Sequence, residues 1–442
     1  MPIFSSDLGK DFWNYRLGQV VSLLGDSCSH IALAWWILDK TGSAVEMSSV
    51  LAPAMVVRIF LMPLFGPLAD KYSRKAIIII ADLWRFVFTG ALAAMVFSNY
   101  YDTYVVIALF ILNSIGSALF QAAAGGIVPQ IVPREKLQIA AQQTQAINSF
   151  AGILGGVAGG IVVSTLGVFG AFLIDALSYV LAAWSTNRIQ SNTVPVRKEV
   201  PQMKAAFHQW TQDFGEGFKL LFKIPVIFWI CIVAMFLNLA FAPLGVILPV
   251  LAKEGRNMPP WFLGALESSI SLGAIVGAVT IGYVNKRIRA DLLTVMAIAM
   301  MCVGTMVLPW VPNVALPLTV LFWIGIGGTW ANIPMNTQIA LAIPDAYRAR
   351  VGSIMGFLCQ GISPLGLAAA GVIISSFGLT NALVAMGGIG LLLTPLMLLI
   401  PNFAKFMSAP PEKADQFLLE YYPEAFGSSG DLSSQGTQPL QE

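Results

Sequence analysis

Twelve apolar runs, each about as long as a bilayer-crossing helix, constrain this chain more than any other feature. They lie near residues 13–38, 44–68, 76–98, 103–128, 140–165 and 168–188, then 224–250, 261–284, 291–310, 314–340, 351–376 and 380–400. About 20 residues of helix cross the ~30 Å hydrocarbon core, whereas a membrane strand needs about ten with strict alternation. These runs are long and do not alternate, so they read as helices. Of 442 residues, 57% are hydrophobic and only 11% charged, against about a quarter charged in soluble domains. The chain is therefore expected to be an all-α membrane protein with twelve transmembrane helices. The net charge of +2, without a long basic run, excludes a nucleic-acid partner. The four cysteines (Cys28, Cys231, Cys302, Cys359) sit inside apolar runs at no metal-motif spacing, which argues against a disulfide framework or a zinc module.

Lys and Arg set the orientation. With the N-terminus inside, 20 of the 25 fall on the cytoplasmic side, three outside (Lys40, Lys253, Arg256) and two within spans (Arg58, Arg85). The positive-inside rule then places both termini in the cytoplasm, and the N-terminus lacks a cleavage signal. The expected organisation is an N-terminal six-helix bundle (1–188), a cytoplasmic linker (189–223), a C-terminal bundle (224–402) and a flexible tail (403–442). In the linker, Met203, Phe207, Trp210, Phe214, Phe218 and Leu221 share one helical face, predicting an amphipathic helix on the inner leaflet. The two halves echo each other at a single offset of 211: Pro133 with Pro344, Gly155 with Gly366, and Gly160 with Gly371. Two related bundles around a midplane site are a common transporter plan.

Gly66-Pro-Leu-Ala-Asp-Lys-Tyr-Ser-Arg-Lys75, after span 2, resembles the signature loop of the major facilitator superfamily. LGQVVSLLGDSCSHIALAWWILDKTGSA in span 1, the Pro-Arg-Glu-Lys-Leu loop at 133–137, AFLIDALSYVLAA in span 6 and IPDAYRARVGS before span 11 resemble its macrolide-efflux and enterobactin-exporter branch. The resemblance implies pseudo-symmetric bundles, alternating access, and a cavity lined mainly by spans 1, 4, 7 and 10. It also implies export in exchange for protons, and a gating role for Asp70 with Arg74. Gly66 is expected to permit a tight turn there. Gly152, Gly155, Gly156, Gly159 and Gly160 in span 5 have the small-residue spacing of close helix approach. They resemble an exporter-associated motif, although the usual Pro after Gly155 is missing.

Charges within spans each cost roughly 2.5–3.5 kcal/mol at a helix centre. Asp26 lies midway along span 1 with Ser22 and His30 on the same face, and Arg58 lies at similar depth in span 2. Asp26, His30 and Arg58 are thus expected to form a coupled polar cluster. Asp82 and Arg85, three apart in span 3, are expected to pair with each other or steady the gate, and Glu267 is a candidate outward proton site. Asn113 and Gln121 (span 4), Asn238 (span 7), and Trp330, Asn332, Asn336 and Gln338 (span 10) are expected to line the cavity, suiting an amphiphilic organic solute.

No GxxxxGK[ST] and no Ser/His/Asp or Cys/His set in a loop points to catalysis, and no cofactor is implied. The expected function is proton-coupled efflux of a hydrophobic drug or siderophore by a monomer in the bacterial inner membrane. One rival is divalent-metal export, since GDSCSH at 25–30 resembles the first-span Asp and His of ferroportin-type exporters. Asp26 and His30 would then be joined by Cys231 and Cys359. Lysophospholipid transport and a non-transporting receptor are the others.

Overall fold

The computed structural model describes residues 8–191, 193, 203–410 and 413–425. All regular elements among them are helices. Span 1 is Lys10–Thr41, span 2 Ala44–Lys71, span 3 Arg74–Phe97 and span 4 Thr103–Ile131. The next stretch, Leu137–Asn187, holds two spans, because Gly167 breaks it with φ at 72°. The linker helix is Met203–Phe222. Span 7 runs from Pro225 to Gly255 through a π-helical last turn. Span 8 is Pro260–Val284, span 9 Ala290–Val307 and span 10 Ala315–Ala342. Asp345–Gly361 continues into Ser363–Leu393, which Gly378 breaks with φ at 79°.

Ten of these stretches are long and apolar enough to cross a membrane, and two of the ten are of double length. The double stretches fold back on themselves, as their neighbours show. Gly155 packs on Ser27 of span 1, and Ser178, beyond the break at Gly167, packs on Gly25 of the same helix. Likewise Gly366 packs on Leu239 of span 7, and Gly390, beyond Gly378, meets Phe241. Spans 5 (137–166) and 6 (168–187), and spans 11 (345–377) and 12 (from 379), are therefore hairpins, giving twelve crossings. A left-handed φ without a Cβ penalty is what glycine supplies at such reversals. The two glycines stand at the offset of 211 that relates the halves.

Span 5 works as a two-faced wedge. A Cβ on Gly159 would lie 3.0 Å from the Ser27 carbonyl oxygen and 3.2 Å from Cys28 Cα, both in span 1. One on Gly160 would lie 2.9 Å from Trp261 Cα, in span 8. Gly155 and Gly159 thus face span 1, while Gly152, Gly156 and Gly160 face span 8 across the molecule. Span 11 repeats the arrangement. Gly366 meets span 7, and a Cβ on Gly371 would lie 2.7 Å from Val45 Cα in span 2. Each glycine pair noted in the sequence occupies equivalent positions in the two halves. Lipid tails are as apolar as leucine, so close backbone approach, rather than the hydrophobic effect, holds such helices together.

Contacts between the halves cluster at the end away from the termini. Lys253 Nζ donates to Asp39 at 2.9 Å, and the Trp261 backbone N–H donates to Ser164 Oγ at 3.0 Å. Further in, Ser268 Oγ donates to the Ile153 carbonyl at 2.9 Å, and Phe60 of span 2 meets Phe357 of span 11 edge-on at 5.5 Å.

Three expectations need correction here. Gly66 makes no turn: span 2 stays helical to Lys71, and the chain turns at Tyr72 and Ser73, whose Oγ caps span 3. The described part of the tail is packed rather than loose, since Phe403–Ser408 and Ala414–Tyr421 are helical and bury Phe406, Phe417 and Leu418 against the C-terminal half. The linker helix turns Leu221 into that same core and sets Phe214 edge-on to Phe357 at 5.3 Å, so these residues face protein and not lipid. The side chains of Met203, Phe207 and Trp210 lie outside the described residues.

Gly160→Ala and Gly371→Ala should each destabilise the protein by about 1–3 kcal/mol through overpacking. Gly90→Ala, where an added Cβ meets nothing within 4 Å, should leave stability unchanged or raise it. Thermal unfolding in detergent measures all three.

Candidate functional site

A cavity of about 730 Å³ runs from Tyr15 and Arg16, near the start of span 1, to His30 and Glu267 beneath the closed contact between the halves. Its lining comes from spans 1, 2, 3, 4, 5 and 6, with Glu267 as the contribution of the C-terminal half. Room for its charges is made by small residues. A Cβ on Gly25 would lie 2.7 Å from Asp175 Oδ1, and one on Gly116 would lie 2.9 Å from Arg85 Cγ.

Two charge groupings occupy this cavity. In the first, Arg85 is buried and hydrogen-bonds Asp82, itself fully buried one turn earlier on span 3. The same guanidinium reaches Asp26 Oδ2 at 3.9 Å and lies over the Tyr179 and Phe120 rings at 4.3 and 4.6 Å. Tyr179 Oη donates to Asp26 Oδ1 at 2.5 Å. Beside them Asp175 accepts from Ser29 Oγ at 2.5 Å. Asp26 is the member open to the cavity, its side chain 42% exposed. In the second grouping, His30 Nδ1 lies 3.4 Å from Glu267 Oε1 and so links span 1 to span 8 across the molecule.

The expected Asp26–His30–Arg58 cluster is therefore only partly formed, Arg58 being near enough to His30 to act on it electrostatically but not paired with Asp26. All three residues line the cavity, but the cation beside Asp26 is Arg85, and His30 pairs with Glu267. Spans 1 and 2 diverge after their short connection: span 1 packs on the 5–6 hairpin, and span 2 on spans 4 and 11. Equal depth did not mean adjacency. Asp82 and Arg85 do pair, yet Arg85 also reaches into the cavity.

Asn113 and Gln121 line the cavity as expected. The five residues expected from spans 7 and 10 do not. Asn238 and Asn332 turn back to carbonyls of their own helices, those of Ala234 and Gly328. Trp330 Nε1 donates to Thr280, Gln338 donates to the Ala409 carbonyl of the tail, and Asn336 is exposed outside this lining. The metal quartet is not assembled either. Cys231 and Cys359 pack together in the core of the C-terminal half, with Cys359 Sγ 4.0 Å from the Cys231 carbonyl, while Asp26 and His30 stand in the cavity.

At the signature loop, Arg74 donates to Asp70 at 3.1 Å and to the Ala69 carbonyl at 3.3 Å. Its guanidinium lies where a side chain on Gly126 of span 4 would be. The loop is tied to the end of span 6 as well, through Lys75 Nζ and the carbonyls of Asn187 and Ile189. Sequence reasoning missed Tyr179 as a partner of Asp26. The available signal was its position four residues after Asp175, a polar pair on one face of an otherwise apolar run.

Two related bundles packed around a charged cavity are the architecture of a membrane transporter. A sequence profile described as Major Facilitator Superfamily matches residues 17–367, and the chain belongs to that superfamily. Macrolide efflux protein A of Streptococcus pyogenes is 22% identical over 375 residues, covering 84% of this chain and 91% of that protein. The multidrug efflux pump Tap of Mycolicibacterium fortuitum is 25% identical over 389 residues, covering 86% and 92%. Among solved structures, a point mutant of the nucleoside transporter NupG superposes with a TM-score of 0.70 at 14% identity, covering 88% of this chain and 100% of that one. A bacterial homologue of the iron transporter ferroportin in its inward-facing state gives 0.67, also at 14% identity, covering 90% and 99%.

Double-mutant cycles on thermal stability separate the two arginines. Asp26→Asn with Arg85→Gln should show a coupling of about 1 kcal/mol or more, whereas Asp26→Asn with Arg58→Gln should be additive within about 0.5 kcal/mol.

Proposed function

We propose that this protein exports amphiphilic organic compounds across the bacterial cytoplasmic membrane by alternating access, in exchange for protons. The observation that carries this reading is the pair of cavity carboxylates, Asp26 and Glu267, each beside a basic side chain of another span and each bordering solvent space. Efflux is also the activity named for the macrolide and multidrug relatives. With both termini inside, as the Lys and Arg distribution predicts, the halves are closed on the outside and the cavity faces the cytoplasm.

The chemistry follows from charge in a poorly solvated space. Protonation of Asp26 removes its attraction for Arg85 and leaves that guanidinium with Asp82 alone. Protonation of Glu267, or its capture by cargo, alters its contact with His30 between spans 1 and 8, and so weakens the seam that keeps the outer end shut. Two arrangements of one set of packed helices, biased by charge at a shared site, are sufficient for a rocking switch. Asp70 and Arg74 act as the inner gate, their pairing within the N-terminal half corresponding to the state in which the inner end is open.

Inverted membrane vesicles carrying the full chain, energised with a pH gradient, test the proposal with a panel of macrolides and fluorescent dyes. Asp26→Asn and Glu267→Gln should each abolish gradient-driven accumulation while leaving exchange of substrate for substrate in place. Undiminished accumulation with an unaltered pH profile in both variants would refute the role of the carboxylates.

A further inference from the structure

Charge pairing leaves an uneven remainder in the cavity. Its three lining carboxylates are all engaged: Asp26 by Tyr179 and Arg85, Asp175 by Ser29, and Glu267 by His30. The cations are not matched in the same way. Arg58, midway along span 2 and exposed to the cavity, forms no hydrogen bond or ion pair among the described residues. Arg16, at 7% exposure, lies over the rings of Phe12 and Tyr15, and its Nε is buried with no partner among the described residues.

The buried polar atoms around the cavity show a related imbalance. Five of the buried side-chain polar atoms that lack a partner among the described residues belong to residues lining this cavity: Arg16 Nε, Gln19 Nε2, Arg85 Nε, Thr89 Oγ1 and Asn113 Oδ1. Three of the five are obligate donors, and Thr89 is able to donate. Buried donors without acceptors are costly, and each calls for an explanation, a bound water or ion among them. Leu23, Leu92, Phe110 and Phe172 provide apolar wall beside them.

We infer that the cargo is an organic anion, an amphiphile whose acidic head group is held by Arg58. This inference rests on the transport reading above and narrows its substrate class. A planar guanidinium suits bidentate capture of a carboxylate, sulfonate or phosphate. Arg85 stays with Asp26 and Asp82 and takes no part in holding the head group. The assignment also explains why an arginine without a carboxylate partner stands at mid-membrane depth: its counter-ion arrives with the cargo.

The test uses the full-length protein in a non-ionic detergent and a dansyl-labelled long-chain carboxylate, with its methyl ester and the matching alkylammonium as controls. The carboxylate should bind at least about tenfold more tightly than either control. Arg58→Gln should remove that preference and Arg58→Lys should retain part of it, with thermal unfolding showing that both variants are folded. Equal binding of ester and carboxylate, tighter binding of the ammonium compound, or a preference untouched in Arg58→Gln would each overturn the inference. Binding requires no gradient, so an Arg58-dependent preference without pH-driven uptake would leave this inference standing and refute the transport reading alone.

Discussion

Close backbone contact through glycine is the constraint on which this molecule depends. Within a bilayer, apolar side chains gain little by leaving lipid for protein, so helices associate through shape, dispersion and hydrogen bonds. Span 5 meets that requirement on two faces, one toward span 1 and one toward span 8, and span 11 does the same toward spans 7 and 2. The first face holds each half together; the second joins the halves. A single helix in each bundle thus contributes both to rigidity and to the interface that must open.

The polar site is built on that frame. Gly25 and Gly116 clear space, and Arg85 enters it between two aromatic rings to lie near two carboxylates from different spans. Neither carboxylate alone accounts for the burial of Arg85. Together with the faces of the Tyr179 and Phe120 rings they offset the desolvation of a cation, which lone ion pairs in low dielectric often fail to do. Asp82 is sealed off and Asp26 is open, so one pair of acids has a structural member and a solvent-facing member.

Much of the architecture is legible in the sequence. Length of apolar run marks the crossings, and the offset of 211 picks out glycines that prove to sit in matched positions. The glycines at 167 and 378 stand at that offset too, and their fold-back positions mark the two tightest reversals. Depth within the bilayer is legible as well, because it is counted along each helix. Which helices touch is not. Nothing within span 1 or span 2 indicates that they separate after Gly42 and Ser43, so depth alone pairs Arg58 with an acid that Arg85 reaches instead. The amides of span 10 mislead for a related reason: an amide in an apolar helix is equally at ease bonding to its own previous turn, as Asn332 does.

The reversals at Gly167 and Gly378 carry a mechanical consequence. Each joins two crossings through a single non-helical residue, with no slack for one crossing to slide past the other. The shortness of that turn limits how far spans 5 and 6 can part. Since span 5 bears the seam against the opposite half and span 6 bears Tyr179 and Asp175, any swing of that seam drags the phenol and the buried acid along an arc around Asp26. The seam and the acids of the site are thus carried on the two arms of one hairpin.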